Sequence, residues 1–137
     1  MEAIDDTELG EWIDKQSEEN KSYILKHEVQ HFCKANKIAK AALWLTDYGF
    51  LDRKLKMYSS SMVIDDFEAI ITAIFESTTM LESAQDRLSK SLAKVLHSVV
   101  LGCHDLKTCC QKESFEVLSA LSLEDLGIVV SASLKAQ

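Results

Sequence analysis

The chain has 137 residues, 47% of them apolar, with 22 acidic against 15 basic side chains for a formal charge of −7, and it contains no proline. That size and apolar share suit one domain that closes a single core without disulfide or metal staples. No stretch approaches the ~20 apolar residues of a membrane span, and the acidic opening Met1-Glu2-Ala3-Ile4-Asp5-Asp6 has no apolar signal core, so membrane insertion and secretion are not expected.

Proline most often punctuates loops and strand edges, and its absence points to long helices joined by turns of Gly, Ser, Thr and Asp. The expected fold is therefore all-α, a single-domain helical bundle over residues 1–137. It has about five main helices plus one or two short ones, judged from the ~3.6-residue apolar period. Four cysteines, Cys33, Cys103, Cys109 and Cys110, fall inside helical patterns rather than a spaced framework. Reduced thiols in a cytoplasmic protein follow from that.

Residues 1–16 read as an acidic N-terminal helix capped by Thr7, with Leu9, Trp12 and Ile13 inward. Residues 1–20 hold eight acids against Lys15 and so carry the whole net charge, residues 21–57 sum to +5, and residues 58–137 sum to −5. Either the acidic start lies against the basic stretch that follows, or the basic stretch meets a partner of opposite sign.

The spacing predicts one long helix over 17–47, opened by Ser17 and stopped by Gly49. Leu25, Val29, Phe32, Asn36, Ala39 and Leu43 form one inward line of it, and Ile24, Ala35, Ile38, Ala42 and Leu45 a second. Lys26, Lys37 and Lys40 gather on the remaining face, with Lys34 at its edge and Cys33 and Trp44 on the same side. Residues 48–62 read as a basic connector, Phe50 to Tyr58 followed by a serine run, with Arg53, Lys54 and Lys56 available to solvent.

Over residues 63–137 the rest of the bundle follows. Val63, Phe67, Ile70, Ile74 and Leu81 point inward, and Thr79-Met80-Leu81-Glu82 has the form of a capping box that restarts a helix near residue 80. Leu81, Leu88, Val95 and Gly102 recur every seven residues, with Leu92, Val99 and Leu106 four after the last three and Gln85 out of type. That heptad-like central helix closes inside one chain or, with the repeat shared, in a homodimer. A short helix around Phe115, Val117, Leu118 and Leu121 and a last one opened at Ser122, with Leu126, Val130 and Leu134 inward, complete the expectation.

One motif invites catalysis. His27-Glu28-Val29-Gln30-His31 resembles the zincin signature H-E-x-x-H, in which two histidines one helical turn apart hold zinc and the glutamate activates a metal-bound water. The extended form needs a glycine and a third histidine, but Lys34 and Lys37 stand there, so His27 and His31 are candidate ligands only for an alternative metal-dependent hydrolase. Cys103, His104, Cys109 and Cys110 lack structural-zinc spacing. Neither a phosphate-binding glycine loop nor a nucleophile elbow is present.

Elimination leaves a non-enzymatic, cofactor-free protein–protein interaction module, an adaptor or regulatory domain binding another protein through a helix face or an inter-helix groove. The expected contact residues are Lys26, Lys37, Lys40, Trp44, Arg53, Lys54 and Lys56, and the expected partner an acidic surface or an amphipathic helix. The same stripe could meet nucleic acid, against which the overall acidity argues.

Overall fold

The structure, a computed structural model, describes residues 6–102 and 105–136, and side chains as far as Ser122. Those residues form seven helices and no strand: α1 (Glu8–Asp14), α2 (Glu18–Lys34), α3 (Ile38–Leu45), α4 (Tyr48–Met57), α5 (Ser60–Glu76), α6 (Glu82–Leu101) and α7 (Leu106–Ala136). The fold is all-α, as expected. Thr7 and Ser17 cap α1 and α2 through side-chain oxygens that accept from Gly10 N–H and Asn20 N–H.

The long helix expected over 17–47 is two helices. Asn36 adopts the left-handed conformation, φ 59°, which Asn tolerates far better than most residues. Lys37 N–H then donates to Phe32 O and Asn36 N–H to Cys33 O, the paired bonds of a Schellman stop. No glycine or proline marks the break, so helical periodicity alone ran through it.

The turn releases α3 to cross the interior, where it packs against α2, α4, α5, α6 and α7. Its Ala41, Ala42 and Leu45 have no exposed surface. Thr46, directly after it, returns its hydroxyl to Ala42 O and accepts at its own carbonyl from Ser114 Oγ of α7.

The expected basic connector 48–62 is mostly α4. Asp47 caps it by accepting from Phe50 N–H, and its carboxylate also accepts from Thr7 Oγ1 at 2.7 Å. Gly49 is therefore not a helix stop. A Cβ there would collide with Thr7 Oγ1 and lie 3.0 Å from the Gly10 Cα, so the glycine serves the close approach of α1 to α4.

In α4, Phe50, Leu51 and Lys54 face the core. Lys54 is 1% exposed and its ammonium is paired with Asp66 of α5, itself 2% exposed. Gln30 of α2 donates to the other carboxylate oxygen at 2.9 Å. Burial pushes the Asp66 carboxyl above its ordinary range, and the Lys54 and Gln30 donors offset part of that rise.

The capping box at Thr79 does not form. Leu81 is the N-cap of α6 and makes no side-chain cap, while Ser77 Oγ accepts from Met80 N–H at 3.3 Å. Gln85 has a different task from the seam residues, since its amide donates to Ile74 O at 2.7 Å and Ser77 O at 3.2 Å, satisfying carbonyls at the end of α5.

Leu88, Leu92, Val95 and Val99 of the seam are buried within the single chain, with α6 packed against α5 and α7. Gly102 ends α6 in the left-handed conformation, φ 61°, rather than continuing the seam to Leu106. The two terminal helices expected after residue 113 are one helix, α7, because Ser122 Oγ donates to Leu118 O within it instead of capping a new start. Leu126, Val130 and Leu134, expected inward, lie outside the described side chains.

Removing one partner of a buried ion pair leaves the other charge stranded, whereas replacing both by apolar groups is close to neutral. Lys54→Met and Asp66→Leu as single changes should each lower unfolding free energy by about 3–5 kcal/mol, and the double variant should recover most of it. Urea unfolding of the three variants checks this; additive losses would show that the pair is not coupled.

Candidate functional site

The basic surface expected from the sequence does not survive as a unit. Lys26 is on α2, Lys37 is in the turn after Asn36, and Lys40 is on α3, all three exposed but no longer on one helix. Lys40 places its ammonium 5.3 Å from the Phe32 ring centroid. Trp44 is half-buried in an aromatic cluster with Phe32 (5.0 Å), Phe50 (5.3 Å) and Trp12 (6.5 Å), where it packs rather than projects.

Lys54 is withdrawn into the core. Its position was legible as a fourth-residue repeat from Phe50, the inward spacing of α4. Lys56 stays exposed and pairs with Asp52 one turn back at 3.0 Å, which raises its proton affinity without burying it.

Arg53 is committed elsewhere. Its guanidinium donates to both carboxylate oxygens of Asp6 (3.0 and 2.6 Å) and both of Asp14 (2.8 and 2.6 Å), and to Gly49 O at 3.0 Å. Lys21 adds a contact to Asp14 at 3.4 Å. Two acids of the N-terminal segment, Asp6 and Asp14, are thus paired within the chain, chiefly by Arg53 of α4. Hydrogen bonding to Arg53 holds the Asp6 carboxyl below its ordinary range and that of Asp14 down to about 2, while the two acids push Arg53 further up.

His27 and His31 lie on the exposed face of α2 in a ladder with Tyr23. The imidazoles stack at 6.2 Å between centroids, and Tyr23 Oη meets His31 Nδ1 at 3.2 Å. Spacing thus brings the two rings together, but among the described residues no group of three or more His, Cys, Asp or Glu side chains converges to hold a metal.

Of the cysteine constellation, Cys103 and His104 lie outside the described residues. Cys110 is buried, with its thiol pushed up to about 12, and burial raises Cys33 to about 11. Burial outweighs any help that nearby lysines give to the thiolate at Cys110.

What the sequence did not reveal is a groove between α5 and α6. Phe75, Met80, Glu82, Gln85, Asp86 and Ser89 line a cavity of about 420 Å³. Gln85 sets its width by clamping the start of α6 to the end of α5. Met80 forms a buried floor, 7% exposed, whereas Phe75 stands at the lip with 72% of its surface in water. Ser89 Oγ is shielded from water yet has no hydrogen-bond partner, unlike Ser122, which bonds back along its helix. A second groove, between α2 and α5, is lined by polar and small side chains including Cys33, Lys34, Asp65, Glu68 and Ala73.

Two outcomes follow. Asp14, whose carboxyl is depressed in the fold, contributes stability that is complete above the ordinary carboxylate range near 4 and lost as pH falls toward about 2. Thermal unfolding midpoints should therefore fall over that window in the parent and fall less steeply in Asp14→Asn; equal slopes would remove Arg53 as the cause. Zinc analysis of protein dialysed against zinc should give substoichiometric metal unchanged by His27→Ala, and stoichiometric zinc lost on that change would install the hydrolase.

Comparison with protein-family models, with curated proteins and with solved structures finds no match to this chain.

Proposed function

We propose that this chain is a non-enzymatic helical interaction module that receives a partner protein in the groove between α5 and α6. The observation that carries the reading is Phe75, a large aromatic residue left 72% exposed beside the buried Met80 at the mouth of a concave site. Single exposed apolar residues are ordinary. A concave apolar site with a few polar groups is the usual form of a binding site.

The distribution of the others supports this side of the molecule. Six of the nine large apolar side chains exposed among the described residues, Phe75, Leu81, Val100, Leu101, Phe115 and Leu118, belong to the α5–α7 half. In the α1–α4 half three of the basic candidates for contact are engaged within the chain, Arg53 with Asp6 and Asp14, Lys56 with Asp52 and Lys54 with Asp66, while Lys26, Lys37 and Lys40 stay exposed. Aromatic anchors that fill pockets dominate the energetics of protein interfaces, which is the role assigned to Phe75.

The reading is tested by affinity capture from native cells with three baits. Phe75→Asp should lose captured partner about tenfold, ~1.4 kcal/mol, with the far-UV helical signal unchanged. Lys37→Glu/Lys40→Glu should retain it. Loss with the lysine bait and retention with Phe75→Asp would move the contact to the basic residues of α3.

A further inference from the structure

We infer that the partner seated against the α5–α6 groove is a second copy of this chain, laid antiparallel across a twofold axis, an inference that rests on the groove being the contact surface. The exposed side of α6 is ordered by charge. Glu82 and Asp86 stand in its first half, and Lys90 and Lys94 in its second. Arg87, between them, is drawn to Glu116 of α7 at 3.2 Å. Asp86 and Lys90 meet along the helix at 2.9 Å in an exposed pair that water screens and a second copy can exchange. Glu82 and Lys94 form no ion pair among the described residues.

A strip with acids at one end and bases at the other attracts a reversed copy of itself and repels a parallel one. With the axis crossing α6 beside Ser89, Glu82 and Asp86 come within about one turn of Lys94 and Lys90 of the second copy, and symmetry repeats both pairs. The helix dipole favours the same order of charge. It gives no reason, however, for apolar groups in water at both ends of α6, where Leu81 is 40% exposed and Val100 and Leu101 are 59% and 60% exposed. Reversal brings these ends together, Leu81 of one copy to within about a turn of Val100 and Leu101 of the other.

The groove has the shape such a pairing needs. Phe75 is a projection and the cavity over Met80 a recess, and both lie on one face, so that the surface can fit itself. Phe75, Asp86 and Ser89 line the same cavity, which puts Phe75 near the axis and its ring within reach of the other copy's groove. Two α5–α6 pairs then make a four-helix arrangement. The 20 residues of α6 span about 30 Å. With two helices about 8–10 Å apart, that face is about 20 Å wide, so the contact covers ~1,200 Å² in all, the low end of specific interfaces. The dimer is therefore a reversible one.

The test reads the mass of the full chain by sedimentation equilibrium from about 1 μM to 1 mM, with reductant present so that cysteines do not link copies. The parent should pass from monomer to dimer. Glu82→Lys/Asp86→Lys and Lys90→Glu/Lys94→Glu each leave a strip of one sign and should each raise the dimer Kd at least about tenfold, ~1.4 kcal/mol. Their equimolar mixture should restore a dimer at least as tight as the parent's. Phe75→Asp should weaken both the parent dimer and the mixed one about tenfold, an effect that mere attraction between opposite charges would not show.

A parent that stays monomeric overturns the inference, as does a dimer indifferent to Phe75→Asp or a mixture that does not reassociate. The groove is judged separately. Capture of another protein that needs Phe75, from a monomeric parent, keeps the groove and overturns only the second copy, whereas capture and mass both indifferent to Phe75 overturn the groove itself. Since Phe75 is largely exposed, its substitution should leave the thermal unfolding midpoint in place, which checks that lost binding is not lost fold.

Discussion

Lys54 and Asp66 sit almost wholly out of water, and a lone ammonium or carboxylate there would cost several kcal/mol. Each charge is tolerable only while the other is opposite it, so α4 and α5 must arrive together. Gln30 extends the requirement to α2 through the second carboxylate oxygen. Hydrophobic contacts among Phe50, Leu51, Val63, Phe67 and Ile70 supply most of the attraction without fixing an alignment, because burial is not directional. The ion pair and its amide donor are directional, and they locate the α4 helix along α5 to within a hydrogen bond.

Placing α4 also places the residue next to Lys54. Neighbours on a helix point about 100° apart, so Arg53 leaves the core side and reaches the acids at both ends of α1. A stretch that reads as a basic surface is consequently divided between two interior tasks, one cation for the core and one for the acidic N-terminal segment. Trp44 is likewise committed to the fold, packed among Phe32, Phe50 and Trp12.

The α5–α7 half is built differently. The α6 helix buries Leu88, Leu92, Val95 and Val99, each contributing roughly 1.5–3 kcal/mol on full burial, and the two flanking helices share that core. Its start is tied to the end of α5 by Gln85, beside the groove where Phe75 stands exposed and Met80 is buried. Of the two carboxylates that line its groove, Asp86 pairs with Lys90 one turn on, while Glu82 forms no ion pair among the described residues. Exposed apolar surface thus collects on this half of the molecule, with Phe75 at the mouth of its groove.

Helical class, the caps at Thr7 and Ser17, the buried line of α2 and the seam of α6 follow from the amino-acid sequence, because local bonds and a 3.6-residue apolar period determine them. The identity of Lys54 as a core residue was encoded by its distance from Phe50, but reading it required knowing that residues 48–57 are a helix. Three matters were settled only by tertiary structure. Asn36 turns left because the following helix is needed in the interior, where its alanines allow five neighbours to pack. Arg53 and Lys54 become structural because their acids come from segments far away in the chain. The groove exists because α6 is clamped to α5 at a particular width. Sequence spacing records which side chains share a helix face, and only the packing of helices decides which of those faces is left for a partner.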